Sequence, residues 1–325
     1  MERRKYNEYN RIMLALHGSH EYLNENILKQ ASKKFWLPVE SWNGPISLAI
    51  YLTGRNITDA YFTTLEKLVI LEERFDGKVS VHFFYKSNKP CLPTVPDVTN
   101  APIGRGYEIN VARNIARVLS STKYIIVSDQ EFIFSPNFEF QLRNLMDETL
   151  KRSSKTVFIY RVFELNSSVE RIPKEKKELK MLYDSGLAVQ FHKVIAPKCH
   201  EISKIEEWFA KEYDGKNVTV NRIVDYEYLH WEPQLASLTD IPFHDETFLY
   251  GAADNTVLRW DLCYRGYEFA LVDELFAVHP GIRKETFYGH IYGKLITFRR
   301  DGYKSFRQRM IKNHWIGKSG CPQPW

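Results

Sequence analysis

The run Tyr124-Ile125-Ile126-Val127-Ser128-Asp129-Gln130-Glu131-Phe132 limits what this chain can fold into more than any other segment. It is short, apolar and rich in β-branched residues, and it stops in two carboxylates one residue apart. Such a run reads as a strand buried on both faces, as in a parallel sheet covered by helices. Acids at its end lie at the carboxyl edge of the sheet, where open α/β sheets bind nucleotides. Alternate side chains of an extended chain point the same way, so Asp129 and Glu131 are expected to reach one cation together. Hard cations such as Mg²⁺ and Mn²⁺ take oxygen ligands of this kind, usually with a substrate's phosphates. Two solvated acids would look the same over the tripeptide alone, so the rest of the chain must decide.

The first half alternates strand and helix. Residues 11–16 read as a strand closed by His17-Gly18-Ser19, 47–52 as a second introduced by Trp42-Asn43-Gly44-Pro45, and 79–85 as a third. A helix starts near Thr58 with Phe62, Leu65, Leu68 and Val69 on one face, and prolines at 90, 93, 96 and 102 mark a loop. This alternation predicts an α/β fold with a central, mostly parallel sheet flanked by crossover helices. In the helix expected over 107–120, Ala112, Ile115, Ala116 and Leu119 form the buried face. Asn110, Arg113, Asn114 and Arg117 repeat the same spacing on a neighbouring face, a denser hydrogen-bonding cluster than a solvated face needs. Arg113 there would suit a carboxylate or a phosphate.

The second half is less regular. Trp231-Glu232-Pro233 precedes a strand or turn, His244-Asp245-Glu246-Thr247-Phe248 opens a segment running to Asn255, and 256–265 is helical in pattern. Residues 267–272 form a strand, followed at once by Phe276-Ala277-Val278-His279-Pro280-Gly281. A lone histidine after an apolar strand is more often structural than a ligand.

With 325 residues, 44% of them hydrophobic and 14% aromatic, the chain is globular and long enough for a sizeable core. Its net charge is only +5 and its basic runs are short, which argues against nucleic acid as a partner. Residues 171–180 read as a solvated loop or helix face, and 298–312 as a basic amphipathic helix. Neither a G-x-x-x-x-G-K-[ST] loop nor a strand-linked G-x-G-x-x-G occurs, so a bound nucleotide would depend on a metal at its phosphates. The cysteines, Cys91, Cys199, Cys263 and Cys321, fit no metal finger but allow one or two disulfides in an oxidising compartment. Sequons at Asn56, Asn166 and Asn217 permit a secretory location. There is no apolar run of membrane-spanning length and no apolar signal region, so the chain is expected to be cytosolic or a piece parted from its targeting segment.

Taken in order, several segments resemble the glucuronyltransferases of glycosyltransferase family 49. They are His17-Gly18-Ser19, the stretch from Trp42 to Ala49, Asn110-Val-Ala-Arg113-Asn114-Ile-Ala-Arg117, the acids at 129 and 131 with Ser135-Pro136, Trp231-Glu-Pro233, the stretch from Pro242 to Gly251, and Val278-His279-Pro-Gly281. The resemblance spans roughly residues 11 to 312. It implies a GT-A fold, Rossmann-like and nucleotide-sugar-binding, in a single domain over 1–325. The donor-binding half would be about 11–160 and the acceptor-side half about 161–312. It also implies a UDP-sugar donor, Mn²⁺ or Mg²⁺, a glycan or glycoprotein acceptor, and a type II Golgi membrane protein with a lumenal catalytic domain. Homo-oligomers are compatible with it.

The resemblance implies metal ligands at Asp129, Glu131 and His279. In an alternative arrangement the first acid faces the ribose or a metal-bound water. The proton acceptor would be Asp245 or Glu246, with Asp254 third. Donor contacts would come from Arg113, Asn114 and Asp129, and a glucuronate carboxylate would meet Arg113, Arg283 or Lys284. His314 is an alternative third metal ligand. The family pattern has Asp where this chain has Glu131, and the extra methylene moves the carboxylate by about 1.5 Å. That departure is the feature favouring a second reading, a catalytically silent homologue that binds a glycan or a partner enzyme. A third, an unrelated nucleotidyltransferase, would need a glycine-rich loop near the first strand, where only Gly18 stands.

Overall fold

The computed structural model describes residues 9–21, 41–54, 56–70, 77–86, 107–213, 215–226, 228–251, 253–284, 292–313 and 320–322, with backbone alone for 70 and 292–301. The proline-rich loop, His314, and the side chains of Arg299 and Arg300 lie outside the described residues.

Among the described residues ten strands form one sheet. They are β1 (Ile12–Ser19), β2 (Ile46–Tyr51), β3 (Val79–Phe84), β4 (Tyr124–Asp129), β5 (Ile133–Phe134), β6 (Thr156–Leu165), β7 (Ala188–Gln190), β8 (Val220–Val224), β9 (Gln234–Leu238) and β10 (Glu268–Pro280). The order is β3-β2-β1-β4-β9-β6-β10-β5, with β7 on β6 and β8 on β10. The expected parallel arrangement holds from β3 to β4. Beyond it β9 runs antiparallel to both β4 and β6, while β6 and β10 pair parallel, so the whole sheet is mixed. Because β9 reverses twice, β4 and β10 end at the same edge. That edge carries Asp129 and His279.

The central strands β1, β2, β4, β6 and β10 are buried on both faces, as their composition predicts. On β1, Ile12, Leu14 and Leu16 join one core cluster, while Met13 and Ala15 join another on the opposite face. On β6, Phe158 and Tyr160 alternate in the same way with Val157 and Ile159. Strand β1 does not close at His17. It continues through Ser19, so His17 stands in register with Asp129.

The helices are α1 (Ile57–Ile70), α2 (Ile109–Val118), α3 (Phe138–Leu150), α4 (Lys176–Asp184), α5 (Ile205–Ala210), α6 (Thr256–Tyr264) and α7 (Tyr292–Lys312). The apolar face expected for α1 is rotated. Phe62 and Val69 are more than half exposed, and the face against the sheet is Ile57, Ala60, Thr64 and Leu68. Thr64 fits there because its hydroxyl bonds back to the Ala60 carbonyl at 2.7 Å. Lys176, expected in a solvated run, is buried against Asp273 (3.2 Å) and Glu274 (2.9 Å). Those acids sit where β10 shifts register between Leu271 and Phe276, with Glu274 in a left-handed conformation (φ 66°). The two apolar runs read separately at 267–272 and 276–281 are therefore one bulged strand. A disulfide joins Cys263 of α6 to Cys321, with 5.8 Å between their Cα atoms.

Candidate active site

The site lies at the shared carboxyl edge of β4 and β10. The extended chain ends at Asp129, and Gln130 and Glu131 form a turn, with the Phe132 amide donating to the Asp129 carbonyl at 3.5 Å. Strict alternation therefore stops before the second acid. Asp129 faces His17, whose Nε2 is 3.5 Å from its Oδ1, while Glu131 turns towards β10. Gln130 fits because Gly18 has no Cβ: one placed there would stand 2.5 Å from the Gln130 amide nitrogen.

Glu131 Oε2 lies 3.1 Å from His279 Nε2 and accepts from Arg283 at 2.8 Å. His279 Nδ1 is 3.2 Å from the Gly281 carbonyl, which accounts for one ring nitrogen. Burial opposes ionisation of Glu131, but His279 and Arg283 outweigh it and hold the carboxyl below its usual range. Asp129 is likewise held low against burial by His17, Arg113 and Arg283. His17 is driven the other way, down to about 3, by burial and by Arg113. Its Nδ1 is 2.8 Å from the Tyr107 hydroxyl, and Tyr107 packs edge-on to Tyr250.

Two more histidines close this corner. His192 stacks on Phe191, its Nε2 is 3.3 Å from Arg283, and its backbone is left-handed (φ 57°). His200 packs edge-on against both Phe191 and His192 and bonds the Glu232 carbonyl at 2.8 Å. Burial is the main cause that lowers both, His192 to about 2 and His200 to about 4, so both are neutral imidazoles.

The polar face of α2 forms the opposite wall and is buried throughout. Arg113 donates to Asp254 (2.7 Å) and Asn110 (2.9 Å). Burial disfavours its charge, but Asp254 and Asp129 more than restore it. Asn110 donates to the Asp245 and Asp254 carbonyls. Asn114 pairs with the His244 peptide in both directions at 2.9 Å, and also donates to Glu246 at 2.8 Å. Arg117 bonds the carbonyls of Thr239, Ile241 and Pro242. The helix thus fastens the segment 239–254 to the sheet. Its apolar residues Ala112 and Ala116 pack on Met13, Ala15, Ala49 and Ile125, but Leu119 lies past the last turn and is half exposed.

The three acids expected as proton acceptors differ in their commitments. Asp245 pairs with Arg309 and accepts from both the amide and the hydroxyl of Thr247. Asp254 holds Arg113 with one oxygen and the Gly251 amide with the other. Glu246 is exposed, and its recorded partner is the neutral Asn114 amide. Lys284 is exposed beside Arg283.

The structure therefore brings Glu131, His279 and Arg283 together. Asp129 lies nearby facing His17, and Arg113 and Asn114 hold the 239–254 segment. Among the described residues no three His, Cys, Asp or Glu side chains stand close enough to share one ion. Sequence reading did not single out Tyr107, His192, His200 or Glu232. Glu232 is a deeply placed carboxyl held by Thr256, with its pKa raised by burial and by Asp254. Its signal was the Trp-Glu-Pro tripeptide, whereas His192 stands among turn residues that offered none.

A family model described as "Glycosyl-transferase for dystroglycan" matches residues 11–313. β-1,4-Glucuronyltransferase 1 of Danio rerio is 24% identical over 281 residues, covering 75% of this chain and 62% of that protein. The xylosyl- and glucuronyltransferase LARGE1 of Homo sapiens is 24% identical over 238 residues, covering 73% of this chain and 28% of that protein. LARGE2 of Mus musculus is 26% identical over 239 residues, covering 73% and 31%. The chain spans less than two thirds of the length of these relatives.

Proposed function

Because the chain belongs to this family of glycosyltransferases for dystroglycan, we propose that it is an inverting GT-A glycosyltransferase. It would move a sugar, glucuronic acid, from a UDP-sugar to a glycan hydroxyl with the help of Mn²⁺ or Mg²⁺. The observation that carries the reading is the meeting of Glu131 with His279 near Asp129, at the sheet edge where β4 and β10 both end. A carboxylate and an imidazole suit a cation such as Mn²⁺, and the Gly281 carbonyl steadies His279 as second partners of metal-bound histidines do. Glu131 and His279 would hold the cation, with Asp129 turned to the ribose or a metal-bound water. When bound, the cation supplies charge neutralisation at the diphosphate of the departing UDP.

The chain's own residues do the rest. Glu246 takes the proton of the attacking acceptor hydroxyl, since Asp245 and Asp254 are engaged by arginines. Asn114 aims Glu246. Arg113 fixes Asp254 and contributes positive field at Asp129. Arg283 supplies a fork for the donor's carboxylate or phosphates. The disulfide fits an oxidising lumen, and the sequon residues Asn56 and Asn217 are exposed, in keeping with residence in the Golgi lumen.

The test is release of UDP from UDP-glucuronic acid and UDP-xylose with Mn²⁺, alongside thermal unfolding with UDP and Mn²⁺. Turnover with UDP-glucuronic acid that disappears on chelation is expected. Absence of both turnover and a UDP–Mn²⁺ stabilisation sinks the reading.

A further inference from the structure

We infer that His192, with Glu131 and His279, walls a single cation pocket, and that the guanidinium of Arg283 fills it in place of a divalent ion, which enters only as Arg283 withdraws. The inference rests on the metal-dependent reading above and adds to it a third wall and a competitor. With the ring proton of His279 on Nδ1 towards Gly281, its Nε2 lone pair faces Glu131 Oε2 at 3.1 Å. In that tautomer both atoms are acceptors, which a cationic donor between them reconciles. Arg283 provides it: one terminal nitrogen lies 2.8 Å from Glu131 and 3.2 Å from His279, and the other lies 3.3 Å from His192 Nε2. All three partners belong to the side-chain types that bind transition metals.

The contrast with Arg117 shows why this is not an ordinary structural arginine. Arg117 is buried and its guanidinium is spent on backbone carbonyls. Arg283 keeps 37% of its side chain exposed, and its guanidinium bonds a carboxylate and two imidazoles. A guanidinium is wider than a metal ion, so partners that hold one stand further apart than the ligands of an ion do. His192 carries a second mark. Its left-handed backbone (φ 57°) is a conformation that side-chain-bearing residues rarely adopt. Phe191 beneath the ring and His200 against its edge hold it there. Such strain, with the ring nitrogen aimed at the Glu131–His279 pair, is expected of a ligand-bearing position.

The experiment is a Mn²⁺ titration followed by electron paramagnetic resonance, on wild type, Arg283→Gln, His192→Asn and the double variant, each without and with UDP. Asparagine is chosen because it tolerates left-handed backbone. Without UDP, Arg283→Gln should bind Mn²⁺ about tenfold more tightly than wild type, and adding His192→Asn should erase the gain. Unchanged affinity in Arg283→Gln, or a gain that survives His192→Asn, overturns the inference. If wild type still binds Mn²⁺ with UDP in that case, the metal-dependent reading stands. If wild type with UDP binds no Mn²⁺, both fall. Should a variant lose its native melting transition, the wild-type Mn²⁺–UDP complex decides. Nitrogen modulation of its spin echo should count two imidazoles, and a count of one overturns the inference.

Discussion

Replacing Arg113 by alanine should free the 239–254 segment while leaving the sheet intact. The Arg113–Asp254 pair is 2.7 Å long, with side chains only 7% and 11% exposed. Losing one member of such a pair leaves the other charge buried without a partner, which costs about 3–5 kcal/mol. A chain of 325 residues unfolds with roughly 0.7 kcal/mol/K of entropy, so the melting temperature should fall by about 4–7 °C. Arg113→Met with Asp254→Asn removes both charges and should recover much of that loss, since neutral replacement of a buried pair is often tolerated. The assay is thermal unfolding of the single and double variants, with amide exchange mapped by mass spectrometry. Exchange should rise across 240–254 and not in β1, β2 or β4. A single-variant loss under about 1 kcal/mol, or a double variant no better than the single, would refute the idea that this pair anchors the segment.

Glu246→Gln should lower kcat about 100-fold or more at nearly unchanged melting temperature, whereas Asp245→Asn should mainly lower the melting temperature; the reverse pattern moves the base to Asp245. Acid should destabilise the protein early. Burial pushes His200 down to about 4 and His244 well below its usual range, so the unfolded chain takes up these protons first. The stability they support is complete above about pH 6.5 and is lost as pH falls towards 4, each with a slope of up to about 1.4 kcal/mol per pH unit. Melting temperatures measured down through that window should fall, and His200→Gln should flatten the curve; a flat wild-type curve contradicts the argument. Cys321→Ser opens a bridge spanning 58 residues and should cost about 4 kcal/mol by loop entropy. Denaturant unfolding with a loss under about 1 kcal/mol would show the bridge idle.

Strands β1, β2 and β4 were legible because a strand buried on both faces writes itself as a largely apolar run, whereas β3, partly exposed along its length, showed itself by its β-branched and aromatic residues. The face of α1 was misjudged because aromatic and branched residues mark both core and crossover surfaces, while Thr64 is buried by satisfying its own hydroxyl. The polar stripe of α2 was visible but its partner was not. Asn110 meets residues 135–144 positions downstream, in a segment without regular periodicity. The acid pair at 129 and 131 was found, yet its geometry was not, because alternation assumes strand and Gln130 begins a turn. His192 lies among turns at 191–195, where no pattern ranks one histidine above another.

The fastening of α2 to the 239–254 segment has a consequence for how such a site can diversify. Asn110, Asn114 and Arg117 grip mainly main-chain atoms: the carbonyls of Thr239, Ile241, Pro242, His244, Asp245 and Asp254, and the His244 amide. A socket that recognises the path of a loop is indifferent to most of the side chains the loop displays. The exposed side chains of that loop can therefore vary more freely than its backbone path. Drift or laboratory selection can rewrite what that wall offers an acceptor while the helix keeps the wall standing.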